Sequence, residues 1–160
     1  LCTYGVSLHV CLLRPKSRGA ITLNGNEITQ HPRIDLNMLD HQDDITTMIK
    51  GVRIAREILS TPPLSSTHVN HIFPQENCNS DQEITQFLKE KCNTIYHPVG
   101  TCKMGQDELS VVDEQLKVRG IKQLRVVDAS IMPTLISGNT NAPTMMIAAK
   151  AADMILAEQR

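Results

Sequence analysis

A chain of 160 residues is long enough to bury a hydrophobic core without cross-links, so one domain is the starting expectation. Its 16 Lys+Arg and 17 Asp+Glu are dispersed rather than gathered into a stripe, and its aromatic residues are two Tyr and two Phe; both facts exclude a nucleic-acid binder and leave small molecules as the expected partners. Five cysteines, odd in number and without a CxxC pair, argue against a zinc ribbon or a dense disulfide framework and for a reducing, cytoplasmic setting.

The first residues, Leu1 to Gly5, have neither an initiator Met nor a charged region ahead of an apolar stretch, so the sequence is expected to be a piece of something longer. No apolar run approaches the roughly 20 residues that span a bilayer, and any membrane contact is expected to be peripheral, at the inner membrane. Val6, Leu8, Val10 and Leu12 alternate with Ser7, His9 and Cys11, a period of two that predicts a strand before Arg14 to Gly19 breaks it. A second strand is predicted at Ala20 to Leu23. After the Asn24-Gly25 turn signal, Ile34, Leu36 and Met38 alternate again, so an antiparallel sheet is expected to nucleate the first forty residues.

Asp40 offers a cap, and Ile45, Met48, Ile49, Val52, Ala55, Ile58 and Leu59 recur at helical spacing until Pro62 and Pro63 end the helix. The stretch from Ser60 to Ser80 reads as a long polar loop. Ser80 and Glu83 have capping-box spacing, and Ile84, Phe87 and Leu88 supply the apolar face of a second helix ending near Asn93. Between Val111 and Val127, short apolar clusters predict two or three brief strands. A last helix follows, with Asn141 as its cap and Pro143 in its first turn; it is apolar on nearly every side and is therefore expected to be buried. Together these elements predict an α+β fold with helices packed on one face of the sheet.

Three segments stand out for chemistry: Tyr96-His97-Pro98-Val99-Gly100-Thr101-Cys102-Lys103-Met104-Gly105, then Leu124-Arg125-Val126-Val127-Asp128-Ala129-Ser130, then Ser137-Gly138-Asn139-Thr140-Asn141-Ala142-Pro143-Thr144. In order and spacing they resemble the carboxyl-terminal signature of the glucose-methanol-choline oxidoreductase family. The segment Leu13 to Gly19 is similar to its choline dehydrogenase-like branch, so the resemblance covers nearly the whole chain.

Without the family, His97 reads first as a structural histidine. Its setting favours chemistry, because Pro98 restricts the backbone, Gly100 frees it, and an imidazole titrates near neutrality as a general base must. The resemblance implies that His97 takes the hydroxyl proton of an alcohol while hydride passes to N5 of FAD, giving an aldehyde. It also implies a second catalytic member just before the last helix, placed at Asn141 rather than Asn139, where an amide would hold developing alkoxide charge. The local alternative is that Asn141 only caps the helix.

The same resemblance makes Asn141, Ala142, Pro143 and Thr144 flavin contacts, and the helix N-terminus suits an anionic reduced ring. Asp128 and Ala129 match a second flavin-contacting turn, although Asp128 also reads as a turn cap. His68, His71 and Cys78 lack the number and spacing of a metal site, so a solvated loop is the expectation and no metal is assigned. Cys102, near His97, reads as a small residue in a tight turn rather than a nucleophile.

No GxGxxG unit is present to hold the adenosine diphosphate half of FAD. The expected division is therefore 1–95 as part of a substrate-binding domain and 96–160 as a catalytic segment returning to an FAD-binding domain, with a missing amino-terminal half as partner. The isolated chain is expected to be inactive and to self-associate. The competing expectation is a substrate-recognition or oligomerisation module of the same fold without catalysis.

Overall fold

The structure is a computed structural model, and it describes residues 5–67 and 71–158. Among the described residues its architecture is α+β: three α-helices, two single-turn 3-10 helices and one small antiparallel sheet of two strands. Strand β1 (Ala20–Thr22) pairs with β2 (Arg33–Asp35), and all six residues are exposed. The sheet is thus smaller than its hydrophobic pattern suggests, and it nucleates no core. The predicted continuation through Leu36 and Met38 fails because Asn37 and Leu39 take positive φ, 46° and 61°, which turns the chain out of any ladder.

The chain divides into two compact units. The first comprises 1–19 and 34–93 and is built on α1 (Gln42–Leu59) and α2 (Asp81–Lys91). Ile45, Met48, Ile49 and Val52 of α1 meet Ile84 and Leu88 of α2 in one apolar cluster, the i, i+3, i+4 spacing that puts them on facing helix sides. Val6 to Leu12 form no strand. Instead Val10 and Leu12 pack on that cluster, which satisfies a period-two pattern without a ladder partner. Gly51 makes room for this contact: a Cβ there would lie 2.4 Å from Val10 Cγ1 and would force the Val10 side chain to shift.

His41, not Asp40, caps α1, its Nδ1 accepting the Asp43 N–H at 3.1 Å. The buried Asp44 carboxylate then receives the Lys16 N–H, the Ser17 N–H and the Ser17 hydroxyl, which pins the Pro15 to Arg18 segment to the first turn of α1. At α2 the capping box forms as its spacing requires: the Ser80 hydroxyl accepts the Glu83 N–H, and the Glu83 carboxylate accepts the Ser80 N–H. Between the helices a 3-10 turn, Leu64–Ser66, interrupts the predicted loop, and Arg56 gathers the carbonyls of Gln75 and Cys78 and the Asn79 amide oxygen. His68 lies outside the described residues.

The second unit comprises 20–33 and 94–160. The strands predicted between Val111 and Val127 reduce to isolated bridges joining Met104 to Val112, Val112 to Val118 and Lys117 to Arg125. The reason lies in the backbone: Leu116 and Gln123 have φ of 63° and 62° and end each extended run after a few residues. Asp113 holds the first of these reversals by accepting the N–H groups of Gln115 and Lys117.

Val112, Leu116, Ile131 and Ala151 form the buried core of this unit, with Ile147 alongside. Helix α3 (Asn141–Glu158) therefore contributes one line, Ile147 and Ala151, four residues apart. Its burial was expected and is not observed. Met145, Met146 and Leu156 are largely exposed, which matches the expectation that a piece of a longer protein leaves apolar surface on its last helix.

Candidate active site

The backbone around His97 is tightly shaped. Tyr96 adopts φ 66°, unusual for an aromatic residue, and its N–H is accepted by Thr94 Oγ1 at 3.0 Å. Pro98 then disfavours helical dihedrals at His97, and Gly100 takes φ 91°, where a side chain would be strained. Three consecutive constraints thus shape the loop, and observed outliers of this kind are a pointer to function.

Beyond Gly100 the chain is tied down: the Cys102 N–H donates to the Ser130 carbonyl at 3.0 Å and the Met104 N–H to the Ile131 carbonyl at 2.7 Å. These acceptors belong to the 3-10 turn Ala129–Ile131. Asp128 caps that turn, its Oδ1 accepting the Ser130 N–H at 2.7 Å. The capping role weighed for Asp128 is therefore the one its geometry displays, and it fixes the turn that holds the His97 loop. Cys102 sits half-buried in that tie, as its size suits.

Thr140 supplies the link to the last helix. It is buried, and its Oγ1 lies 2.9 Å from His97 Nδ1, with its N–H at a longer 3.5 Å. Its carbonyl accepts both the N–H and the hydroxyl of Thr144, which makes Thr140 the residue at the cap position of α3. Asn141 is consequently the first helical residue and not the cap. Asn141 and Ala142 are exposed and Pro143 and Thr144 half-buried, so the open end of α3 begins one residue from the group that holds His97.

The structure thus brings His97 and the stretch 141–144 together through Thr140, and joins the Asp128 turn to the His97 loop through backbone hydrogen bonds. Sequence reading missed Thr140. Threonine is a favoured cap residue, but two asparagines flank it and drew the assignment. Among the described residues no group of His, Cys, Asp and Glu could hold a metal ion. No helix among them is long and apolar enough to cross a membrane.

The family described as GMC oxidoreductase matches residues 15–148, and the chain belongs to that family. It is 50% identical over 153 residues to an alcohol dehydrogenase [acceptor] of Pseudomonas putida, an alignment covering 96% of this chain and 28% of that protein. It is 44% identical to an oxygen-dependent choline dehydrogenase of Escherichia coli (strain SMS-3-5 / SECEC), covering 95% and 27%. Among solved structures it is similar to a formate oxidase of Aspergillus oryzae RIB40, in a variant concerned with FAD modification, with TM-score 0.84, 36% identity and coverage of 92% and 26%. It is also similar to a pyridoxine 4-oxidase from Mesorbium loti, with TM-score 0.82, 33% identity and coverage of 88% and 28%. The chain spans little more than a quarter of the length of these relatives.

Proposed function

We propose that this chain is the carboxyl-terminal part of an FAD-dependent oxidoreductase that oxidises the CH–OH group of a small alcohol to an aldehyde, with His97 as the base. One observation carries the reading: His97 Nδ1 is held 2.9 Å from Thr140 Oγ1 at the start of α3, so the other ring nitrogen is the one without a partner from this helix start and is the one proposed to meet the substrate. Membership of the family and relatives named for alcohol and choline oxidation support the same chemistry.

The residues present fit one end of a flavin. The amides of Asn141 and Ala142 lie in the first turn of α3, ahead of its first i→i−4 donor at Thr144, and a helix N-terminus places partial positive charge beside an electron-rich ring. Asn141, Ala142, Pro143 and Thr144, with Asp128 and Ala129 across the loop tie, are the proposed contacts. Nothing in the sequence resembles a GxGxxG unit for the nucleotide end. When bound, FAD supplies the hydride acceptor, at N5. This chain's own contribution is to take the hydroxyl proton on His97 and to hold the alkoxide oxygen by the amide of Asn141. The proposed division remains 1–95 for part of a substrate domain and 96–160 for the catalytic segment.

The test is His97→Ala in the full-length flavoprotein, followed by stopped-flow reduction of the flavin at saturating alcohol. A fall of about 100-fold or more in the reduction rate is expected for removal of a general base. An unchanged rate would favour the competing module without catalysis.

A further inference from the structure

We infer that Thr140 is the positioning residue that selects the working tautomer of His97, its hydroxyl accepting the Nδ1–H so that Nε2 carries the lone pair that takes the substrate proton. This rests on the reading of His97 as the base.

A neutral imidazole has one protonated and one bare nitrogen, and only the bare one can be a base. Nδ1 is engaged with Thr140 Oγ1 at 2.9 Å, so Nε2 is the nitrogen left to act. If Nδ1 were the bare nitrogen, Nε2 would carry hydrogen and could accept nothing. The hydroxyl can donate or accept because its own proton rotates; the Thr140 N–H can only donate and would favour a bare Nδ1, but at 3.5 Å it is the weaker contact, so the inference rests on the 2.9 Å hydroxyl contact.

The local sequence reduces the competition for this hydroxyl. A threonine at a cap position ordinarily spends its oxygen on the N–H of the second or third helical residue. Here the third residue of α3 is Pro143, which has no N–H, so only the Ala142 N–H remains to compete for that oxygen. The helix start is secured differently, by Thr144 bonding back to the Thr140 carbonyl through both its N–H and its hydroxyl. Thr140 is buried, which keeps water from replacing it as the partner of Nδ1.

The ring itself is constrained from the other side. Tyr96 at positive φ, Pro98 and Gly100 fix the backbone, so what remains to be set at His97 is the ring's rotation and its proton, and one hydrogen bond to Nδ1 sets both. His97 is only half-buried, so without that bond both tautomers could be stabilised by water.

The experiment uses the full-length flavoprotein with isotopically labelled histidine, and reads the tautomer of His97 by nitrogen chemical shifts, the signal being assigned by its loss in His97→Ala. The wild type is expected to show hydrogen on Nδ1 and none on Nε2 in the neutral form. Thr140→Val keeps the shape and the backbone carbonyl but removes the acceptor. It is expected to mix the tautomers and to lower the flavin reduction rate roughly 10-fold, the loss of one hydrogen bond, with substrate affinity little changed. Thr140→Ser is expected to restore both signals. A wild-type spectrum with hydrogen on Nε2 overturns the inference and needs no variant to fold. So does a Thr140→Val protein with wild-type tautomer and rate in which His97→Ala still abolishes reduction. If His97→Ala leaves reduction intact, the reading of His97 itself has failed, a separate outcome.

Discussion

The Ser17 hydroxyl lies 2.6 Å from the Asp44 carboxylate, and this contact joins the strap preceding β1 to the first turn of α1. The same carboxylate also accepts the amides of Lys16 and Ser17. Replacing Asp44 by Ala strands three donors at a buried position, at a cost of about 3 kcal/mol. The expected result is a lower melting temperature of the full-length protein together with faster hydrogen exchange at the Lys16 and Ser17 amides, measured by mass spectrometry.

The pH dependence of that anchor has a definite sign. Burial alone would raise the Asp44 carboxyl, but the Ser17 hydroxyl and the Lys16 and Ser17 amides outweigh it and hold the group below its ordinary value. The unfolded chain therefore takes up the proton first as pH falls. The stabilisation is fully present above about pH 4 and is lost below it, as the lower folded value is passed. The difference in urea midpoint between wild type and Asp44→Asn should be constant from neutral pH to about 5 and shrink below about 4; a difference that grew in acid would contradict this assignment.

Gly100 tests the shape of the His97 loop. A Cβ at this position would meet the Met132 carbonyl at 3.4 Å, an ordinary contact, so the penalty of Gly100→Ala comes from φ 91° and not from space. A cost of about 1–2 kcal/mol is expected. Because the loop carries His97, the flavin reduction rate should fall with flavin content unchanged, and both are read in the same stopped-flow experiment.

Asn141 and Asn139 flank Thr140, and only one of them need meet the substrate oxygen. Asn141→Ala is expected to lower the reduction rate by roughly 10² to 10³, the scale of losing a donor to a developing oxyanion, while Asn139→Ala stays near wild type. The reverse pattern moves the role to Asn139 and leaves Asn141 as the first residue of α3.

The isolated chain is expected to bind FAD weakly, since it offers the helix start at 141–144 but no GxGxxG unit. Fluorescence titration reads this directly, and firm binding with alcohol-dependent bleaching of the flavin would overturn it. The exposed Met145, Met146 and Leu156 of α3 predict association of the isolated chain at high concentration, visible as earlier elution in size-exclusion chromatography.

The sequence by itself determined the helices and the chemistry-bearing segments. Ile45 to Leu59 and Ile84 to Leu88 repeat at helical spacing, and Ser80 with Glu83 encodes its own cap, because these signals act between residues three or four apart. The proposed role of His97 came from the resemblance of the segment Tyr96 to Gly105 to a family signature, since Pro98 and Gly100 shape the loop locally but leave a structural histidine as the plainer reading. Tertiary structure decided whatever needed a distant partner. Val6 to Leu12 alternate like a strand but rest on α1, since a ladder requires a second chain segment that hydrophobic pattern does not specify. Helix α3 is apolar all round yet covered along one line, because burial depends on what surrounds it. Thr140 became visible only when folding carried it across 43 residues of sequence to His97, and one oxygen at 2.9 Å from a ring nitrogen leaves no trace in spacing or composition.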